Sequence, residues 1–339
     1  MIFGVVILHT PPSSSFGVGG GWFDGVQLYF QGAVFRTTVP VLTFISAYLL
    51  FSSNLDFGAA RLYRKKCRTL VLPFIAFNGM VLLCVYLAQL HAASAVLYPV
   101  YLPGASAEQW ANAAFGYIQM PVNYPLNFLR DLIVLIVLAP FFGLLLRNYP
   151  MIGLCFVTSF FSGDFDGLFI LRNNMAFMFY LGGLFAVFNI NVKALDNHAG
   201  ACLALFLVLC AAVLIFKIKN LSYLGVIAPV LIWPASKLID ASRVGQFFAD
   251  NSKYTFFIYI AHAPLVAGSA KLYPKVQSFL PSALYWAVTP VLVCAVLIAV
   301  YKVAMAVAPV PFSLLVACKP KQRTKGGPTA LPEAVPTTA

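Results

Sequence analysis

Long apolar runs separated by short polar breaks dominate this chain. The runs fall at about 33–53, 70–90, 128–147, 150–162, 174–189, 199–216, 221–239, 251–268 and 283–308. About 20 apolar residues in a helix cross the hydrocarbon core of a bilayer, so most of these runs read as membrane helices. They are continuous rather than alternating, which predicts helices and not the strands of a barrel. The opening residues MIFGVVILHT add one more apolar segment. It would cover only about 15 Å, half of the hydrocarbon core. The expectation is that this first helix begins about ten to twenty residues upstream of Met1. A secretory signal peptide is not predicted, because neither a basic start nor a small-residue cleavage site is present. The predicted fold is all-α, a polytopic membrane protein of about ten transmembrane helices.

The breaks suggest how the helices are threaded. Residues 11–32 form a Pro/Ser/Gly-rich stretch without lysine or arginine and are predicted as a loop. Residues 54–69 hold Arg61, Arg64, Lys65, Lys66 and Arg68, which marks them as cytoplasmic, and Pro73 opens the helix that follows. Residues 91–128, the longest loop, carry no lysine or arginine and are expected to lie outside, over the bundle. With both termini cytoplasmic, only Arg36, Arg130, Arg172, Lys217, Lys219, Lys271 and Lys275 of the 22 basic residues fall on the outer side. That bias supports the threading. Residues 1–309 are expected to form one transmembrane domain. Residues 310–339, basic and then Pro/Thr-rich, are expected to be a disordered cytoplasmic tail.

Composition agrees with the pattern. The chain is 61% hydrophobic and only 9% charged, with a mean hydropathy of +0.87. So little polar surface cannot cover so apolar a core in water. The net charge of +12 is spread over short loops, so it points to membrane topology and anionic lipid; no nucleic-acid partner is expected. The seven cysteines form no CxxC pair, and no metal site or disulfide framework is predicted.

Polar residues inside apolar segments are the candidates for chemistry, because an ionisable group at membrane depth is costly. His9 is the first. Arg36, Pro40, Thr43 and Ala47, with Ser46 beside them, make a stripe on the second helix. Asn127, Arg130, Asp131 and Val134 share a face of the fourth, and Arg172 precedes the sixth. Ser252, Thr255, Tyr259 and His262 line one face of the ninth, with His262 about 15 Å into it by helical rise. Each has a plainer reading. The histidines could be satisfied by neighbouring helices, Arg130 and Asp131 could neutralise each other, and the basic loop could serve orientation alone.

Taken in order, VVILH around His9, RTTVPVLTFISAYLLF, KKCRTLVLPFI, FLRDLIVL and NSKYTFFIYIAHAPL resemble the integral-membrane acyltransferase 3 family over most of the chain. The resemblance is nearest to members that decorate bacterial exopolysaccharides, the succinoglycan succinyltransferases among them. It implies an O-acyltransferase of the bacterial cytoplasmic (inner) membrane. The acyl group, acetyl or succinyl, would pass from acetyl-CoA or succinyl-CoA to a hydroxyl of an exopolysaccharide or lipid-linked glycan. Acyl-CoA would be a substrate, with no tightly bound cofactor. In the family's first-helix motif a basic residue precedes a histidine by ten intervening residues; His9 matches the histidine, and the basic position lies upstream of Met1. Lys65-x-x-Arg68 matches the family's inner basic motif. Asn127 stands where relatives usually carry tryptophan, and Ala47 where glycine often follows the serine.

The chemistry fits these positions. Transfer to a hydroxyl needs a base, and an imidazole titrates near neutrality, so His9 is the candidate catalytic residue. Charge then develops on the carbonyl oxygen, which nearby donors stabilise. Arg36, Ser46, Arg130, Asp131, Arg172, Tyr259 and His262 are the candidate substrate-binding residues, and Lys65 and Arg68 the candidates for the phosphates of CoA. No GxSxG elbow is present, so direct transfer is expected rather than a covalent enzyme intermediate. A glycan or lipid exporter without chemistry of its own is the alternative. A symporter ranks last, because no carboxylate lies within the apolar helix cores.

Overall fold

The computed structural model describes residues 1–18, 21–91, 98–163, 172, 174–218 and 221–318. Among these the regular structure is entirely helical: α1 (Ile2–His9), α2 (Trp22–Gly32), α3 (Thr38–Ser52), α4 (Ala59–Lys66), α5 (Leu72–His91), α6 (Ala107–Phe115), α7 (Asn127–Val137), α8 (Ala139–Asn148), α9 (Pro150–Gly163), α10 (Met175–Val187), α11 (Ala199–Ile215), α12 (Ser222–Ala235), α13 (Lys237–Asp240), α14 (Arg243–Asp250), α15 (Thr255–Val276), α16 (Ser282–Val307) and α17 (Pro309–Leu315). Among the described residues, six spans are long and apolar enough to cross a membrane: Trp22–Ser52, Ala59–His91, Asp196–Ile215, Ser222–Asp240, Ser252–Val276 and Ser282–Val307. A seventh, Tyr124–Val137 with Ala139–Asn148, is bent by 56°. Pro140 stands in the first turn after the bend, where its missing N–H and ring break the helical ladder.

Two stretches predicted as loops are partly helical. Residues 22–32 form α2, joined to α3 through a 3-10 turn, Val34–Thr37. Its glycines weaken helix propensity. Tertiary contacts offset this: the Tyr29 hydroxyl donates to the Leu207 carbonyl, and Phe23 packs edge-on against Trp286. Within 91–128, α6 begins on a capping box in which Ser106 and Gln109 satisfy each other's backbone N–H groups. Helix α17 extends from Pro309 into the stretch assigned to the tail, and residues 319–339 fall outside the described ones. Pro73 does not open a helix of its own. α4 runs into α5 through one π-helical turn, Cys67–Val71, which opens the ladder just before the proline.

Buried amides on α5 fasten the long segment that follows it. Asn78 Nδ2 donates to the Ala113 and Ala114 carbonyls, its Oδ1 accepts from Asn123 N–H, and Gln89 bridges Val100 and Leu102. On the opposite end, Asp56 is buried and paired with Arg147, whose guanidinium also lies 4.0 Å from the centre of the Phe57 ring.

Helices α3 and α10 cross closely at Gly182, where a Cβ would stand 2.3 Å from the Phe44 carbonyl oxygen. Between membrane helices, such contacts depend on small residues. Gly182→Leu is expected to destabilise the bundle by about 1–3 kcal/mol through overpacking, read as a lower melting temperature of the detergent-solubilised protein. An unchanged melting temperature would show that this crossing is not tightly packed.

Candidate active site

The site is built where α1 ends against α15. Three features fix the end of α1. The Thr10 hydroxyl donates to the Val6 carbonyl, and Gln31 Nε2 donates to the carbonyls of Ile7, at 2.7 Å, and Thr10. Gly4 lets the 3-10 turn come close, since a Cβ there would meet the Phe35 ring at 2.4 Å. The side-chain bonds add donors at a helix end, where intrahelical donors run out.

His9, half-buried, then meets His262, which is 0% exposed. His9 Nδ1 lies 2.9 Å from His262 Nε2. On its other side His262 Nδ1 approaches the carbonyls of Tyr259 (2.8 Å) and Ile258 (3.1 Å) in its own helix. The exposed ring of Tyr124 stands edge-on to His9 with centroids 5.0 Å apart.

Helix α15 is held to the segment before α7 by a device that begins with a proline. Pro264 has no N–H for the carbonyl of Ile260, and Asn123 Nδ2 donates to that oxygen instead, at 3.2 Å. From the adjacent residue, the Tyr259 hydroxyl donates to the Pro125 carbonyl at 2.6 Å. Together they fix the turn that carries Tyr124 and leads into α7.

The cations gather on the same side. Arg172 Nη2 donates to Asn127 Oδ1 at 3.3 Å, so Asn127 supports a guanidinium. Arg172 is within electrostatic reach of His9, Asp131, Tyr259 and Arg36, and Arg36 reaches His9 as well. Arg36 is exposed, whereas Arg130 and Asp131 are buried and ion-paired at 3.1 Å.

His9, Arg36, Asp131, Arg172, Tyr259 and His262 are therefore brought together from separate parts of the chain. Ser46 lies about 15 Å along its helix from Arg36 by helical rise, and its hydroxyl donates to the Leu42 carbonyl. Lys65 and Arg68 are exposed at the other end. With Ala60, Arg61, Arg64 and Thr69 they line a cleft of about 530 Å³. The Tyr63 hydroxyl, beside that cleft, donates to the Val137 carbonyl at the far end of α7 from Asn127. The two regions are thus separated by about the length of that helix, roughly 15 Å. Asp164 and Asp166 lie outside the described residues. Among the described residues, no group of three or more His, Cys, Asp or Glu stands together as a metal site.

Gln31, Asn123 and Tyr124 were not among the residues expected at the site. Only Asn123 left a trace in the sequence, in that Pro264 predicts a carbonyl in need of another donor.

The sequence profile of the acyltransferase 3 family, described as an acyltransferase domain, matches residues 1–305. The chain belongs to the acyltransferase 3 family. It is 29% identical over 331 residues to the succinoglycan biosynthesis protein ExoH of Rhizobium meliloti (strain 1021), an alignment spanning 91% of this chain and 87% of that protein. No solved structure matches it. The protein is an acyltransferase, and its apolar helices make it a multi-pass membrane protein.

Proposed function

We propose that this acyltransferase moves an acyl group from acyl-CoA to a hydroxyl of an exopolysaccharide or its lipid-linked precursor, with His9 as the general base. The observation that carries the reading is a half-exposed histidine seated on a buried one, with Arg172 and Arg36 in electrostatic reach. In the proposed step His9 takes the hydroxyl proton, the hydroxyl oxygen bonds to the thioester carbon, and the C–S bond breaks. The proton then passes from His9 to the departing thiolate. Arg172 stabilises negative charge on the carbonyl oxygen as the tetrahedral species forms. The acceptor class is supported by the likeness to a protein of succinoglycan biosynthesis. Two arginines at the site favour a succinyl donor over acetyl, since a guanidinium pairs well with the free carboxylate.

The arrangement in the membrane belongs to the same proposal. A count of about ten membrane helices would take α1 and the shorter apolar helices α9 and α10 as crossing with the six long spans and the bent pair. With both termini in the cytoplasm of a bacterium, the basic cleft faces inward, the His9 site lies towards the outer face, and the bilayer is the inner membrane. The basic cleft would hold the phosphates of CoA, and its thioester arm would reach into the bundle. Lys65→Gln and Arg68→Gln are expected to raise KM for acyl-CoA, each by about tenfold, equivalent to 1.4 kcal/mol, with kcat little changed. The effect should shrink at high salt, because both charges are exposed. If KM in the single variants matches the unmodified protein at low salt, the cleft is not the donor site.

Proton NMR of polymer from a strain lacking the protein, and from the same strain complemented, tests the function. Fewer acyl esters per sugar, with polymer yield maintained, supports acyl transfer. Reduced yield with unchanged esters per sugar would favour an exporter instead. Supplying acetyl-CoA and succinyl-CoA separately to the purified protein decides the acyl group.

A further inference from the structure

We propose that His262 is a positioning residue that fixes the tautomer of His9, so that Nε2 of His9 is the nitrogen that takes the proton. The inference rests on the reading of His9 as the base. The argument follows hydrogens from the interior outward. His262 Nδ1 faces the carbonyl oxygens of Tyr259 and Ile258, at 2.8 and 3.1 Å. Carbonyl oxygens only accept, so this nitrogen carries a hydrogen. The other nitrogen of the neutral ring is then bare and can only accept. That nitrogen, Nε2, lies 2.9 Å from His9 Nδ1, so His9 Nδ1 must donate. A neutral His9 with its hydrogen on Nδ1 has its lone pair on Nε2.

His262 is fully buried, so water does not compete for its Nε2, while His9 keeps part of its ring accessible beside Tyr124. The contact is also worth more during the reaction than before it. When His9 Nε2 takes the hydroxyl proton, His9 becomes an imidazolium, and its Nδ1–H bond to His262 becomes charge-assisted. An interaction that strengthens as charge develops lowers the barrier rather than merely tightening substrate binding. A carboxylate in the place of His262 would give the same orientation but would carry a full charge at rest in an apolar surround. The imidazole orients without that cost. Its own Nδ1 hydrogen stays on the two carbonyls throughout, and the proton gained by His9 leaves to the thiolate.

The test uses the whole protein in lipid nanodiscs, labelled with 15N-histidine. The chain has four histidines; replacing His91 and His198, both exposed, leaves the pair alone. Ring-nitrogen NMR of this protein is expected to show hydrogen on Nδ1 of both His9 and His262. His262→Leu removes the side-chain acceptor and leaves only the Val5 carbonyl to hold the ring hydrogen. It is expected to populate the other His9 tautomer and to lower kcat by about tenfold, within the range of general-base catalysis, with KM unchanged. His262→Gln, whose side-chain carbonyl can accept from His9, is expected to recover most of the lost kcat. Hydrogen on Nε2 of His9 in the protein with His262 intact, as a positively charged His262 would impose, overturns the proposal. So does equal kcat in the Leu and Gln variants. The spectrum needs no turnover, so it stands apart from the reading of His9 as the base. That reading fails if a protein lacking the His9 imidazole stays active.

Discussion

His9→Ala is expected to lower kcat for acyl transfer by about 10²–10⁴-fold, the contribution of a positioned general base, while the protein still inserts and binds acyl-CoA. The loss is chemical rather than structural, because the end of α1 is held by Thr10, Gln31 and the close approach at Gly4. The His9 side chain is partly buried, against His262 and Tyr124, at the edge of the bundle. Its removal leaves one acceptor, His262 Nε2, without a donor, at a cost of about 1–3 kcal/mol. A second substitution separates the two effects. His9→Gln can still donate to His262 but offers no nitrogen base. It should match His9→Ala in kcat while keeping more of the stability. The measurement is thiol release from acyl-CoA by purified protein with acceptor present, beside a melting curve. A His9→Ala protein that keeps full kcat would remove His9 from the chemistry, whatever its tautomer.

The second large effect is expected at Arg172. Arg172→Gln should lower kcat by about 10²–10³-fold if the guanidinium stabilises the developing oxyanion, as loss of a single oxyanion donor does elsewhere. The position is suited to this. Arg172 is tethered to Asn127, lies within reach of His9, and has Asp131 and Tyr259 around it. Arg172→Lys keeps the charge but not the planar fork, so only part of the rate should return. Kinetics with two donors divides the possible roles. A fall in kcat with both acetyl-CoA and succinyl-CoA is the oxyanion result. A rise in KM confined to succinyl-CoA would assign Arg172 to the acyl carboxylate instead. Kinetics unchanged with either donor would exclude both roles.

The membrane class was legible from composition and run length, since a chain 61% hydrophobic and 9% charged has no aqueous alternative. His9, Arg172 and His262 stood out individually because ionisable residues in apolar surroundings are rare. Helices α2 and α6 differ in how much of their formation is local. Helix α6 carried a local start in Ser106 and Gln109 that could have been recognised. Helix α2 carried little local support, because its glycines lower helix propensity while its supports, Leu207 and Trp286, are distant in the chain. Tyr259 shared a polar face with His262, yet its hydroxyl anchors the Pro125 carbonyl, a use that no periodicity could distinguish from binding a ligand.

What the sequence by itself determined was local: which segments are apolar enough to span, where basic residues mark a side, and which residues are costly at depth. Those follow from each segment's own exchange with water and lipid, and they need no neighbour. The tertiary structure decided which costly groups meet. His9 and His262 are 253 positions apart, and their contact depends on α1 packing beside α15, on Gly4 admitting Phe35, and on Asn123 taking the carbonyl that Pro264 leaves open. Lipid tails are as apolar as the helix surfaces, so apolarity alone does not choose which helices pair. Close packing and hydrogen bonds choose, and both are properties of the assembled bundle.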